Sequence, residues 1–304
     1  MRTWWLMLLA CCLLPAAAAG TLTAWGVLSG QAQLRVSELR TLQMGKLNDP
    51  AHAMDFVFVG DSSLGNAVDA ATWERLSGRP TANLALTGAF GLAGSYNMIR
   101  RAVRAHGTRY VVIMQAADMM ARDVSYQGFA LTFSARDWYQ VSPVDLAASF
   151  LNWTLLEQSL EGLLGTADRP EAVTGDYIAQ GPHAAPEDIV AEPLTPSSIN
   201  PRQEYFLRKI AEYCAGAGVT CIYAHGPVYE GTCIAAAGYL TEVNARIGAA
   251  GLALAEGTPL CMPADDVGDG TDHVRPELKQ AYTERLFGLI APLAFGTARA
   301  VRRD

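Results

Sequence analysis

A Gly-Asp-Ser-Ser run follows a short apolar segment near residue 60 and has the residue types for nucleophilic chemistry. The segment that ends at Val59 is rich in Val and Phe, as buried strands are, and Gly60 permits a sharp turn. A helix that begins at this turn would place Ser62 at the carboxyl end of a strand, near helix N–H groups that favour negative charge. A hydroxyl placed there suits attack on a carbonyl group. The alternative is an ordinary strand, turn and helix whose serines only cap the helix.

A second polar group lies near the other end of the chain, in a loop rich in glycine and aspartate that ends at His273. His273 is the only one of the five histidines with a carboxylate beside it in sequence, and it precedes a predicted helix over 274–293. A serine nucleophile needs a base, and the base needs a carboxylate that fixes its tautomer. Ser62, His273 and an aspartate of this loop would form that set. In the alternative interpretation, Asp269 or Asp272 caps the helix and His273 is a surface residue.

Alternating strands and helices must bring these two groups together. Strands are predicted at 56–59, 81–86, 110–114, 219–224 and 252–254, and helices at 67–76, 94–106, 202–215 and 235–250. This alternation predicts an α/β fold, a three-layer α/β/α sandwich with a mainly parallel sheet. The segment 121–201 is less regular, with a predicted helix at 150–164 and a proline-rich loop at 168–201. That loop is either a wall of the site or a solvated excursion, and the sequence does not favour one over the other.

The first 29 residues have the composition of a membrane or export signal. No charge occurs from Thr3 to Gly30, which fits a membrane helix, and the alanines before Gly20 also fit a signal peptide. The apolar run continues past the alanines, so we favour a signal anchor over a cleaved signal peptide, and over a lipoprotein site at Cys11. In each case the rest of the chain is exported, as a periplasmic or extracytoplasmic domain. We expect a linker helix over 30–50 and one domain over 51–304.

Composition limits the partners and cofactors. Half of the 304 residues are hydrophobic, and the formal net charge is −7 with only short basic clusters, so we do not expect a nucleic-acid partner. Beyond the leader, four cysteines allow three pairings. Cys214–Cys221 would tie a helix to the next strand, Cys233–Cys261 would close a longer loop, and four free thiols are the alternative. No Cys/His cluster has metal-ligand spacing, so we expect neither a metal nor a cofactor.

With these residues in place, the chain resembles an SGNH (GDSL-type) hydrolase. The match spans roughly 55–293, with the middle region uncovered, and the two end blocks occur in the family's order. Gly60-Asp61-Ser62 resembles the first block, which implies Ser62 as the nucleophile. The segment from Asn83 to Gly88 resembles the second block, which implies the Gly88 N–H as an oxyanion donor beside that of Ser62. Asp272-His273-Val274 resembles the last block, which implies His273 as the base.

The sequence departs from the family pattern at two positions. The family's third block usually supplies an oxyanion asparagine after a strand, whereas here Gln115-Ala116-Ala117-Asp118 follows the strand. Gln115 could donate in its place. The family acid usually lies three residues before the histidine, where this chain has Gly270. We prefer Asp269 as the acid, because Gly270 lets its side chain fold back, and Asp272 remains the second choice.

The resemblance, taken with the leader, implies a function on extracytoplasmic polysaccharide or cell-wall glycan. Membrane-anchored proteins of this kind hydrolyse or transfer O-acetyl groups, often with a membrane acyltransferase as partner. We therefore expect an acyl ester or glycan substrate and an acyl-enzyme on Ser62. Two alternatives stay open. One is a catalytically silent domain that binds polysaccharide or scaffolds a synthesis complex, which the missing asparagine favours. The other is a lipid esterase with an apolar groove beside Ser62.

Overall fold

The computed structural model describes residues 2–29, 37–134, 136, 139, 141–164, 173–174, 177–178 and 180–296. The strands are β1 (Phe56–Gly60), β2 (Thr81–Asn83), β3 (Tyr110–Gln115), β4 (Val173–Thr174), β5 (Tyr177–Ile178), β6 (Thr220–His225), β7 (Val228–Tyr229), β8 (Ala253–Leu254) and β9 (Cys261–Met262). The helices are α1 (Arg2–Ser29), α2 (Ser37–Asn48), α3 (Ser62–Ala67), α4 (Ala70–Ser77), α5 (Gly91–His106), α6 (Tyr126–Thr132), α7 (Pro143–Phe150), α8 (Trp153–Leu164), α9 (Gln203–Ala217), α10 (Glu230–Ala235), α11 (Ala237–Ala249) and α12 (Lys279–Phe295).

The central sheet has five parallel strands in the order β2-β1-β3-β6-β8. Helices α4 and α12 pack on one side of it, and α5 and α9 on the other. The α/β fold with a parallel sheet is thus confirmed, and the arrangement is consistent with three layers. Successive side chains of a strand point to opposite faces of the sheet, so Phe56 and Phe58 of β1 lie on the same face, and both contact Trp73 of α4. Trp73 also contacts Phe287 of α12. This aromatic cluster fixes β1 and therefore the turn that follows it.

Several predicted elements have different bounds in the structure. The predicted helix over 67–76 is two helices, because Asp69 begins α4 by accepting a hydrogen bond from the Thr72 N–H at 2.8 Å. The strand predicted over 81–86 ends at Asn83, whose side chain accepts from the Ala85 N–H at 3.0 Å and turns the chain.

The helix predicted over 274–293 is wrong at its start. It begins at Lys279, because Val274 forms an antiparallel bridge with Val267 and Pro276 starts a short 3-10 turn. His273 therefore lies in a loop and not at the N-terminus of a helix. The predicted helix over 150–164 begins at Trp153 and is preceded by the separate helix α7.

The N-terminal helices pack on other parts of the chain. Thr23 and Val27 of α1 are buried, and a Cβ at Gly26 would overlap Ser159 of α8. In α2, Gln43 is buried and donates to the Ala85 carbonyl at 3.0 Å, so this part of the expected linker is packed on the domain; residues 30–36 lie outside the described residues. Among the described helices, none has the length and apolar character of a membrane span. The anchor over 1–29 stays a prediction.

Both expected disulfides are formed. Cys214–Cys221 joins α9 to β6, and Cys233–Cys261 joins α10 to β9, with Cα atoms 6.1 Å apart in each pair. Of the three pairings that the sequence left open, this is the one formed, and the alternative of four free thiols is wrong. Disulfides form and persist in oxidising compartments, which agrees with the expected export.

Candidate active site

Ser62 is the first residue of α3, directly after β1, and its side chain is partly exposed. Asp61 caps the helix, because its Oδ1 accepts hydrogen bonds from the Ser63 N–H at 3.1 Å and the Ser63 hydroxyl at 2.7 Å. Ser63 is fully buried, and a Cβ at Gly226 would overlap its hydroxyl. Ser63 is therefore a packing residue, and Ser62 is the serine that a substrate can reach.

Asp61 also connects the carboxyl ends of β1 and β3. Its Oδ2 accepts from the Ala116 N–H at 2.9 Å, while a Cβ at Gly60 would overlap the Met114 carbonyl oxygen. The close approach of the two strands therefore requires glycine at position 60. Burial, with the nearby charge of Asp272, raises the pKa of Asp61 from 3.8 to about 6.

The loop that carries His273 is closed on itself. The Gly268 N–H donates to the His273 carbonyl at 2.7 Å, and the His273 N–H donates to the Gly270 carbonyl at 3.0 Å. A Cβ at Gly270 would lie only 3.1 Å from His273 Nδ1, so the ring folds back over a position without a side chain. Asp269 Oδ1 then lies 2.7 Å from His273 Nδ1. This is the arrangement that a triad acid and base require, and it is the one expected for Asp269.

Asp272 approaches the other ring nitrogen of His273. Its Oδ1 lies 3.5 Å from Nε2, too far and too poorly placed to rank with the Asp269 contact as a hydrogen bond. Burial raises the pKa of Asp272, an effect that His273 opposes. Asp269 has the opposite shift: the hydrogen bond to His273 lowers its pKa against the effect of burial. Asp269 is thus the better ionised partner of the ring.

The environment of His273 stabilises the imidazolium form. Burial lowers its pKa, but the hydrogen bond to Asp269 and the charges of Asp272, Asp269 and Asp61 outweigh burial, and the net shift is upward from 6.5. His225, at the end of β6, is different: it is buried, its pKa is lowered by burial, and its Nε2 contacts the Asn244 side-chain oxygen at 2.7 Å.

A segment of the irregular region joins the serine helix to the histidine loop. We call residues 177, 178 and 180–184 the strap. Gln180 Nε2 donates to the Asn66 side-chain oxygen at 2.9 Å and to the Val274 carbonyl at 2.7 Å, and so bridges α3 and the loop. The Gly181 N–H donates to Asp269 Oδ2 at 2.8 Å. Tyr177 packs over Gly65 and donates to the Leu86 carbonyl at 2.8 Å. The proline-rich region thus forms part of the site's walls.

Gly88 and Gln115, considered from the sequence as oxyanion donors, have different surroundings. Gly88 begins a short 3-10 turn beyond β2 and is partly exposed. Gln115 is fully buried, and its Nε2 donates to the Ser95 hydroxyl at 2.9 Å inside the domain. The suggestion that Gln115 replaces the family's asparagine is therefore wrong, because its only N–H donors face the core.

Within the described residues, no hydrogen bond joins the Ser62 hydroxyl to His273. Hydrogen bonds between catalytic groups are often long before a substrate binds and tighten in the complex. Among the described residues, no group of three or more His, Cys, Asp or Glu side chains is arranged to hold a metal ion.

Sequence reasoning missed four residues around this site: Gln180, Gly181, Arg122 and Glu192. The first two belong to the strap. Arg122 follows the turn after β3 and pairs with Asp118 at 2.7 Å, and Glu192 accepts from the Thr271 hydroxyl at 3.1 Å. None of them lies in a periodic element or a motif, so the sequence carried no signal for their position.

The fold and the site define an α/β protein with a serine and an Asp-His pair at the carboxyl edge of a parallel sheet. Comparison of the chain with protein-family models, with curated proteins and with solved structures found no match.

Proposed function

We propose that this protein is a serine-dependent acyl ester hydrolase or O-acetyltransferase of the SGNH type. One observation carries the proposal: the Asp269–His273 pair, 2.7 Å apart, lies in a loop that Gln180 bridges to the helix of Ser62. A partly exposed serine at a helix N-terminus and an oriented histidine are the parts of a nucleophile and its base.

The proposed reaction has two steps. His273 takes the Ser62 proton as the hydroxyl oxygen bonds to the ester carbonyl carbon, and the carbonyl π pair moves onto oxygen. The N–H groups of Ser62 and Gly88 stabilise that oxyanion. The bond to the leaving alcohol then breaks, and the alcohol takes the proton from His273. Water or a sugar hydroxyl then gives its proton to His273 as its oxygen bonds to the acyl carbon. The bond between that carbon and Ser62 Oγ breaks, and Oγ takes the proton back from His273. Asp269 holds the ring and stabilises its charged form throughout.

The substrate that we propose is an acetylated or acetyl-accepting extracytoplasmic glycan, with an acyltransferase in the membrane as the source of acyl groups for transfer. The two disulfides support export. A cavity of about 440 Å³ lies beside α3; its wall combines polar side chains (Asn66, Gln180, His183 and Lys279) with apolar ones (Tyr177, Ile178 and Pro276) and does not include Ser62 or His273. Asn66 lies one helical turn beyond Ser62, to whose carbonyl its side chain donates at 2.9 Å.

One observation favours the silent alternative, a domain that binds polysaccharide or scaffolds a synthesis complex without turnover. His273 Nε2, the nitrogen that should face the nucleophile, has the Asp272 carboxylate 3.5 Å away. In a silent domain this contact would be permanent. In an enzyme it would be exchanged for the Ser62 hydroxyl when substrate binds.

Hydrolysis of p-nitrophenyl acetate by the whole chain tests the proposal. We expect turnover by the wild type and its loss in Ser62→Ala and His273→Ala. Ser63→Ala is the matched control, because Ser63 is the neighbouring hydroxyl but is buried and bonded to Asp61. Equal rates for wild type and Ser62→Ala would reject the proposal and favour the silent domain. Adding acetylated and unacetylated glycan oligomers then separates hydrolysis from transfer.

A further inference from the structure

Arg122 lies beside the glycine implied as an oxyanion donor. It follows the 3-10 turn over Ala117–Ala121, and its Nε donates to Asp118 Oδ2 at 2.7 Å. The hydrogen bond to Asp118 fixes the Nε edge of the guanidinium, and the Nη groups face Gly88. A Cβ added at Gly88 would overlap Arg122 Nη1, so the guanidinium packs directly against that residue.

The charge of Arg122 affects the pKa of two other carboxyl groups of the site, Asp61 and Asp272. Burial dominates the raised pKa of Asp61 and of Asp272, and Arg122 opposes it in both cases. The pKa of Arg122 is itself raised: burial works against the charge, but the hydrogen bond and charge of Asp118 and the charges of Asp61 and Asp272 outweigh it. Arg122 is therefore a cation whose charge acts on the residue directly before Ser62 and on the residue directly before His273.

No other side chain of this segment can supply an N–H to the site. Gln115 donates into the core at Ser95, and the residues from Ala116 to Ala121 have no side-chain N–H group. The segment after β3 is where the resemblance to the SGNH family implies an oxyanion asparagine. Arg122 is the first residue beyond β3 whose side chain both carries such donors and contacts Gly88.

We propose that Arg122 is the third oxyanion donor of this site, with its guanidinium N–H groups aimed at the oxygen that develops negative charge. The inference rests on the proposed function. As Ser62 Oγ bonds to the carbonyl carbon, the displaced π pair on oxygen accepts from the N–H groups of Ser62 and Gly88 and from Arg122. When the bond to the leaving alcohol breaks, that pair returns to the carbonyl. A charged donor is stronger than the neutral amide it replaces.

The test is steady-state hydrolysis of the neutral ester p-nitrophenyl acetate by the whole chain. Arg122→Ala should lower kcat by roughly 10²–10³-fold with little change in KM, because the contact is made only in the transition state. Added guanidinium chloride should restore part of the lost rate in Arg122→Ala and should not raise the rate of the wild type. Arg122→Lys keeps the charge without the planar fork and should show a smaller loss of kcat.

Two control variants separate this role from a structural one. Asp118→Asn removes the ion pair but keeps the guanidinium, so it should lose far less kcat than Arg122→Ala. Arg208→Ala removes a positive charge from an exposed pair with Glu204 and should leave kcat unchanged. If Arg122→Ala does not fold, Arg122→Lys against Asp118→Asn carries the comparison.

The outcomes distinguish this inference from the proposed function. An active wild type whose Arg122→Ala variant keeps its kcat, or changes only KM, overturns the inference and leaves the proposed function standing. An Asp118→Asn variant as impaired as Arg122→Ala also overturns it, in favour of a structural ion pair. A wild type that neither hydrolyses the ester nor reacts at Ser62 with a fluorophosphonate overturns both.

Discussion

At the scale of single residues, the site depends on how two aspartates share one imidazole. Asp269 contacts Nδ1 at 2.7 Å, whereas Asp272 lies 3.5 Å from Nε2. The carboxylate on Nδ1 orients the ring and leaves Nε2 for the nucleophile. The carboxylate near Nε2 occupies the place where the nucleophile must come. The same loop therefore supplies one residue that would support catalysis and one that would compete with it.

Exchange of each aspartate for asparagine should separate these roles. We expect Asp269→Asn to lower kcat by roughly 10³–10⁴-fold, because the ring loses its orienting carboxylate, and Asp272→Asn to keep most of the activity. The measurement is p-nitrophenyl acetate turnover as a function of pH. His273 must be neutral to accept the Ser62 proton, and its pKa is raised above 6.5. As the pH rises, the wild-type rate should therefore increase with a midpoint above pH 6.5. Asp269→Asn should move that increase to lower pH. The reverse pattern would assign the acid role to Asp272.

The buried Asp61 should make folding stability depend on pH. Its pKa is about 6 in the folded chain against 3.8 for an exposed carboxyl, so the folded state holds this proton where the unfolded state releases it. The contribution of Asp61 to stability is full below pH 3.8 and is lost as the pH rises through about 6, a change of about 3 kcal/mol. Denaturant unfolding of wild type and Asp61→Asn from pH 4 to pH 7 measures it. If the free energies of unfolding of the two proteins changed in parallel with pH, Asp61 would not be the source of the pH dependence.

At the scale of elements, the strap holds the Asp269 carboxylate in place. The Gly181 N–H donates to Asp269 Oδ2, so the carboxylate is bonded on both oxygens, to the strap and to His273. The strap is itself fixed by Tyr177 to the chain after β2 and by Gln180 to α3. A segment without regular secondary structure thus sets the geometry of the Asp-His pair.

Removal of the Gly181 N–H should impair catalysis without unfolding the protein. Gly181→Pro lacks the donor, and we expect kcat to fall roughly 10–10²-fold as Asp269 loses one of its two anchors. Gly181→Ala is the matched control, because it keeps the N–H and its Cβ would be 3.5 Å from Asp269 Oδ2, an ordinary contact. Thermal melts check that both variants fold. Equal activity of the proline and alanine variants would show that the strap does not position the acid.

Sequence reasoning reached the elements with a strong local pattern and missed those set by packing. The density of Val and Phe predicted β1, the apolar run over 110–114 predicted β3, and residue type and spacing singled out Ser62, Asp269 and His273. Arg122 and Gly181 act through contacts with residues distant in sequence, in segments with no periodicity, so no local pattern could indicate them. The start of α12 was misplaced for the same reason, because the Val267–Val274 bridge competes with helix formation there.

At the scale of the whole molecule, two disulfides fasten the half of the domain that carries the histidine loop. Cys214–Cys221 spans 7 residues between a helix and a sheet strand, and Cys233–Cys261 spans 28 residues just before the loop. Both cross-links limit the unfolded chain more than the folded one. The two disulfides agree with the predicted export to an oxidising compartment.

Loss of the longer disulfide should cost more stability. By loop-closure entropy, removal of Cys233–Cys261 should lower the free energy of unfolding by ~3.5 kcal/mol and removal of Cys214–Cys221 by ~2.4 kcal/mol. Urea unfolding of the two double serine variants beside the oxidised wild type measures the difference. A larger loss for the Cys214/Cys221 pair would mean that packing around α9, and not chain entropy, dominates.

Reaction with a fluorophosphonate probe shows whether Ser62 is the activated nucleophile that we propose. The whole chain is incubated with the probe beside Ser62→Ala, His273→Ala and the control Ser63→Ala, and the labelled peptide is located by mass spectrometry. We expect one label, on Ser62, that is lost in Ser62→Ala, strongly reduced in His273→Ala and retained in Ser63→Ala. A label that persists in Ser62→Ala, or a wild type that neither labels nor hydrolyses small acetyl esters, would contradict it.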